Sequence, residues 1–336
     1  MRDVVPAFSE TRLRDRWLRD RLLTASTGRH ANRAVAALAA LSAAIILLLV
    51  FGIAGSLIVQ ALPAFRQFGL GFLVGRTWDP VNGVFGALPF IYGTLVSSLL
   101  AMLIGGPIAI GSAIALSELV PSRIRGLLSA LVELLAAIPS VVYGLWGIFV
   151  LAPMLRSTIE PGLRATLGFL PLFSGPFYGV GLLAGGLILA IMIIPTIAAI
   201  SRDVLMAVPQ EQREAMLALG ATRWEVIALV VVPYARTGIL GAGILGLGRA
   251  LGETMAVTML IGNRPEISIS LFAPAYTLAS VIANEFTEAS NDLQVAALLE
   301  IGLVLLGITI LVNAGARWLV WRFRGNNSPM GVVAGG

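Results

Sequence analysis

An all-α polytopic membrane fold with six transmembrane helices is the class this sequence predicts, on three observations. Hydrophobic residues fill 57% of the 336 positions and charged residues only 12%, where soluble domains carry about 25% charge. Six apolar stretches each reach the ~20 residues that a bilayer requires. The remaining charges gather at the ends of those stretches rather than on a soluble domain, so the net charge of +5 does not point to a nucleic-acid partner.

Residues 1–33 read as a polar cytosolic N-terminal tail, with eight arginines against four acids. The tail is too long and too mixed for a signal-peptide n-region, and the apolar run behind it is too long for an h-region. Thr11 to Leu23 fits an amphipathic helix on the lipid surface and a solvated tail equally well. The membrane domain covers 34–320 and a short cytosolic tail covers 321–336.

The spans are expected at Ala34–Leu62, Ala87–Leu116, Leu127–Leu151, Val180–Ile200, Thr237–Gly262 and Leu293–Trp318. The second is interrupted by Gly105-Gly106-Pro107, the third contains Pro139 and the fourth Pro195. A proline inside a span removes one ladder hydrogen bond and kinks it. Ser140, beside Pro139, is placed to give its hydroxyl to the freed carbonyls. Asn291 to Gln294 supply a capping signal for the sixth span.

Orientation follows from arginine. With the N-terminus inside, 17 of the 23 arginines are cytosolic, five (Arg66, Arg76, Arg156, Arg164, Arg264) are outside, and Arg249 lies within a span. The positive-inside rule then places both termini and the loop at about 205–233 in the cytosol. The outer loops, 63–86, 152–179 and 263–292, are large enough to meet a partner and too small for a catalytic domain; the last is acidic, with Glu266, Glu285, Glu288 and Asp292.

Several chemistries are excluded. All 23 basic residues are arginine, so no P-loop lysine exists and ATP hydrolysis by that route is not expected in this chain. No cysteine is present, the single histidine, His30, lies in the tail, and no carboxylate cluster has metal-ligand spacing. The expectation is a protein with no catalytic residues, metal or resident cofactor.

Residues 210–253 organise the chain. Pro209 before Gln210 and Glu211 suits a helix start. Gly220 suits its stop, and Thr222 with Glu225 reads as a capping box for a second helix. Met216, Leu219 and Trp224 offer apolar knobs on this polar surface. The spacing Glu214-Ala215-Met216, Gly220, Val230-Val231-Val232-Pro233 resembles the EAA loop of ABC importer permeases, with Met for the second Ala and Val for the family's Ile and Leu. The resemblance implies a type I importer permease fold in which Glu214 to Gly220 form a coupling helix that docks on an ATPase subunit.

Arg249 and Glu253 are four apart and so share a helix face. Arg249 falls at the middle of the expected fifth span, where a guanidinium costs at least ~2.5–3.5 kcal/mol. It must be paired, with Glu253 the obvious partner, or face a polar pathway. Its planar fork of donors suits an oxyanion; the alternative is an ion pair that locks the bundle. Gly248 and Gly252 form a GxxxG that permits close helix approach. Glu133 reads as interfacial or paired with Arg123 or Arg125, and Glu300 lies about 11 Å into the sixth span.

Three further stretches, Phe68–Leu73 with Trp78-Asp79-Pro80, Gly83–Pro89 and Gly248–Thr254, together with Ile138-Pro139-Ser140, resemble the permeases of ABC-type phosphate importers of the PstC type. The resemblance implies import of inorganic phosphate across the inner membrane of a bacterial cell, with Arg249 and Glu253 on the substrate pathway. It implies a second permease subunit of the PstA type, a dimer of ATP-binding subunits carrying ATP and Mg, and an extracytoplasmic phosphate-binding protein. The chemistry of Arg249 alone also admits sulfate or molybdate, and the spans alone admit a gradient-driven secondary transporter.

Overall fold

The computed structural model describes residues 10–324, with side chains from 33 to 322. The faces of Thr11–Leu23, His30 and the tail after Arg324 therefore lie outside the described residues. Among those described, six helices are long and apolar enough to cross a membrane: Arg33–Phe68, Leu88–Leu119, Ser140–Leu167, Leu182–Met206, Arg223–Gly252 and Asp292–Arg322. They are the first to sixth spans below. The chain divides into a unit ending at Val59 and a unit beginning at Gln60. The described residues of the first unit, 10–59, are one helix whose Leu38, Leu48 and Phe51 are exposed, an apolar surface suited to lipid.

In the second unit the fourth span is the hub. Ile188, Leu189, Met192, Ile193 and Ile197 are all fully buried in one apolar cluster. The second span crosses it closely enough to require glycine. A Cβ on Gly105 would stand 2.9 Å from the Ala190 carbonyl oxygen, and one on Gly186 would stand 2.5 Å from Leu100 Cδ2. Small residues bring membrane helices together where no hydrophobic drive exists to do so.

Two spans differ from expectation. The third begins at Ser140 rather than Leu127. Residues Ser122–Ala137 form a separate helix without a buried residue, and Ile138 and Pro139 are extended between the two. Proline disfavours helical backbone in the residue before it, so Pro139 caps the span from outside and does not kink it. The stretch after Leu151, expected as loop, stays helical to Leu167. The fifth span begins at Arg223 and ends at Gly252; Glu253 is extended, and a short helix, Met255–Leu260, follows. By contrast Pro107 and Pro195 do lie inside helices, and Asn291 caps the sixth span by accepting from the Gln294 N–H at 2.7 Å.

At the end of the bundle remote from residues 207–222, the stretch 68–90 builds an aromatic cap. Trp78 meets Phe85 and Phe90 edge-on at 4.7 and 5.0 Å, and Phe90 meets Tyr276 at 5.4 Å, the favoured geometry for aromatic pairs. Asp79 closes the turn by accepting from the Asn82 side-chain amide at 2.6 Å and from the N–H groups of Asn82 and Val81; the side-chain bond first, then the backbone bonds, hold its carboxyl below the ordinary range. Tyr276 is pushed up to about 12 by burial and so stays protonated, its oxygen accepting from the Asn284 amide.

Trp78 Nε1 donates to Glu285 at 2.7 Å. Burial raises the Glu285 carboxyl above its ordinary value of 4.5, only partly opposed by that hydrogen bond. A raised folded value means that the folded cap prefers the protonated acid. Its contribution is complete below 4.5 and declines as pH rises through the folded value. Glu285→Gln keeps an acceptor for Trp78 and removes the ionisation. Thermal melts of the purified protein should show the variant gaining on the wild type as pH rises from 4.5 to neutrality; parallel pH profiles would refute this account.

Candidate translocation site and coupling loop

Arg249 occupies the last turn of the helix Val232–Gly252, where the helix dipole favours a cation. Its side chain is half-buried and its Nη1 donates to Thr196 Oγ1 at 3.0 Å. Thr196 is 14 residues from Leu182 and 10 from Met206, or ~21 and ~15 Å from the ends of the fourth span at ~1.5 Å per residue. The guanidinium is therefore level with the middle of the fourth span, although Arg249 lies in the last turn of its own helix and not, as expected, at the middle of the fifth span.

The expected pairing with Glu253 does not form. The helix ends at Gly252, so the four-residue spacing no longer places both side chains on one helical face, and Glu253 instead accepts weakly from the Ala256 N–H at 3.4 Å. Among the described residues Arg249 makes no ion pair. Its companions are neutral: Thr196, and the Tyr143 phenol within electrostatic reach. The Asn313 amide comes near the same turn, 3.8 Å from where a Gly248 Cβ would be. Gly248 thus faces the sixth span, while Gly252 has nothing within 4 Å. Sequence spacing could not reveal Thr196, Tyr143 or Asn313; the only signal was polarity in otherwise apolar spans.

Glu133, half of an expected pair with Arg123 or Arg125, binds Arg202 instead, at 3.0 Å; Arg202 also binds Asp203 at 2.7 Å. This ties the helix Ser122–Ala137 to the hub. Glu300 is buried in the sixth span, and its Oε2 has no hydrogen-bond partner among the described residues.

The coupling loop follows its local signals closely. Pro209 precedes the helix Gln210–Ala218. Gly220 is left-handed at φ 88°, with Gly220 N–H donating to Leu217 O at 3.0 Å and Ala221 N–H to Met216 O at 3.2 Å. That pair of bonds is the Schellman arrangement. Thr222 and Glu225 then form the capping box, with both reciprocal bonds present.

Glu214 and Ala215 are exposed, and so are Leu219 at 83% and Trp224 at 65%. Met216 is the exception among the expected knobs, since it turns inward against the apolar cluster that includes Leu205, Val226 and Val231. Pro233 follows a π-helical turn, Ile227–Val231, at the start of the straight part of the fifth span. Proline cannot donate to the preceding turn, and a wider turn accommodates the loss.

Residues 105–325 match the family model of binding-protein-dependent transport system inner membrane components. The chain is 49% identical over 285 residues to a phosphate transport system permease protein PstC of Mesorhizobium japonicum, covering 84% of this chain and 87% of that protein. It is 48% identical to the protein of the same name from Pasteurella multocida, covering 82% and 88%. A chain of a bacterial ABC transporter involved in the import of the acidic polysaccharide alginate shares the fold, with TM-score 0.53 and 19% identity over 91% of this chain and 98% of its own.

Proposed function

The chain belongs to the family of binding-protein-dependent transport system inner membrane components, and from that premise we propose how it works: it is the permease subunit of an ATP-driven importer of inorganic phosphate, and Arg249 receives the anion in the membrane. The observation that carries this reading is a half-buried guanidinium bonded to the neutral Thr196 and to no carboxylate. A cation kept so far from water without a counter-ion is an anion receptor in waiting. Thr196 orients one edge of the fork and leaves other donors for phosphate oxygens.

The exposed helix Gln210–Ala218, with Glu214 and Ala215 outward, Pro209 and Gly220 fixing its two ends and Pro233 opening the helix beyond the loop, takes the push of a nucleotide-binding partner. ATP is bound with Mg and hydrolysed in a dimer of such partners, not here. A second permease of the PstA type completes the pathway, and a phosphate-binding protein delivers substrate to the aromatic cap. Both termini face the cytoplasm, and the chain is embedded in the inner-membrane lipid. Family membership sets aside the gradient-driven alternative.

The test is ATP-dependent uptake of radiolabelled phosphate by the reconstituted complete importer. Unlabelled phosphate should compete, and equal concentrations of sulfate or molybdate should not. Equal competition by either would reassign the substrate.

A further inference from the structure

A second cluster of guanidinium groups lies beside the coupling helix. Glu118, Arg125, Arg213 and Arg223, with Ser117 and Gln210, line a cavity of about 300 Å³, room for roughly ten waters at ~30 Å³ each. Three cations face one anion. Glu118 is paired with Arg213 at 3.1 Å, although its Oε1 has no well-aligned hydrogen bond among the described residues, and Arg213 also donates to the Leu205 carbonyl at 2.8 Å. Arg125 donates only to the Val120 carbonyl, at 3.1 Å. Arg223 makes no ion pair or hydrogen bond among the described residues. The Nε atoms of Arg125 and Arg213 are buried without an acceptor, an arrangement that costs free energy unless a ligand supplies the oxygen.

The three arginines come from three elements: the helix Ser122–Ala137, the coupling helix Gln210–Ala218 and the helix Arg223–Val226. We propose that this cavity binds a phosphoryl oxyanion, inorganic phosphate on the receiving side, and that the bound anion cross-links the coupling helix to its neighbours and slows further import. Arginine forks are suited to the bidentate, charge-assisted bonds that such an anion offers. The site is separate from Arg249. Its regulatory role rests on the reading that residues 210–223 face the compartment into which phosphate is delivered.

The experiment uses the importer's membrane complex with its ATP-binding subunits but without the phosphate-binding protein, carrying Arg249→Gln so that the pathway cannot hold phosphate, and measures equilibrium binding of radiolabelled phosphate in phosphatidylcholine vesicles. Adding Arg223→Gln should weaken binding roughly tenfold or more. In importers with Arg249 intact, phosphate loaded on the receiving side should slow uptake, and Arg223→Gln should remove that slowing. Melting temperature checks folding, and Arg125→Gln serves as the second variant.

Binding and slowing that survive both substitutions would overturn the proposal while leaving the role of Arg249 standing. If phosphatidylglycerol in the vesicles displaces the phosphate, a lipid headgroup is the natural occupant. The oxyanion site then holds and its role as a product brake falls.

Discussion

Arg249→Gln should reduce phosphate uptake by at least about thirtyfold, the lower end of the ~2–5 kcal/mol lost when one member of a buried charged pair is removed. The sharper expectation concerns stability. Were Arg249 half of an ion pair locking the bundle, its removal would strand a buried acid and destabilise the fold. Among the described residues no acid pairs with Arg249: Thr196 is the partner, and glutamine can still donate to it. Removing a membrane-embedded charge should then leave assembly intact and keep or raise the melting temperature, since the charge itself costs ~2.5–3.5 kcal/mol there. Lost transport with preserved melting separates reception of an anion from a structural lock. Normal uptake, or a collapse in stability, would refute the assignment.

Gly220→Val should produce the second large effect, by a different route. The residue sits at φ 88°, where a β-branched side chain is strained, yet a Cβ there meets nothing within 4 Å. The damage is therefore confined to the turn. The Schellman bonds to Leu217 and Met216 are lost, and the exposed Leu219 loses its position. Uptake should fall by roughly tenfold or more, as a strained backbone costs of order 1–3 kcal/mol, while the importer's ATP hydrolysis continues. Gly220→Asn is the control, because asparagine tolerates the left-handed region. If the valine variant imports at the parental rate, the loop does not transmit the push.

Legibility from sequence tracked the range of the interactions involved. The signals from Pro209 to Glu225 were read correctly because they act within three or four residues: a proline, a glycine and a Thr–Glu box each settle their own hydrogen bonds. Span count was legible because bilayer thickness imposes it. Boundaries were not. Apolar residues dominate from Leu127 to Leu151, and only the backbone restriction at Ile138-Pro139 separates a helix with no buried residue from one that buries Tyr143 and Gly144. At the site, Arg249 and Glu253 were found by charge in an apolar run, but their pairing assumed a helix that in fact stops between them. Thr196 and Arg202 find their partners across 53 and 69 residues of sequence, and no local pattern encodes such meetings.

That interruption at Gly252 to Thr254 has a mechanical meaning. Two groups on one rigid rod keep a constant separation whatever the rod does. Here the carboxylate of Glu253 rides on an articulated elbow, with the short helix Met255–Leu260 beyond it and the cationic group before it. Because the helix stops at Gly252, the distance from Glu253 to the positive charge is set by the backbone of 252–254 and not by a continuous helix.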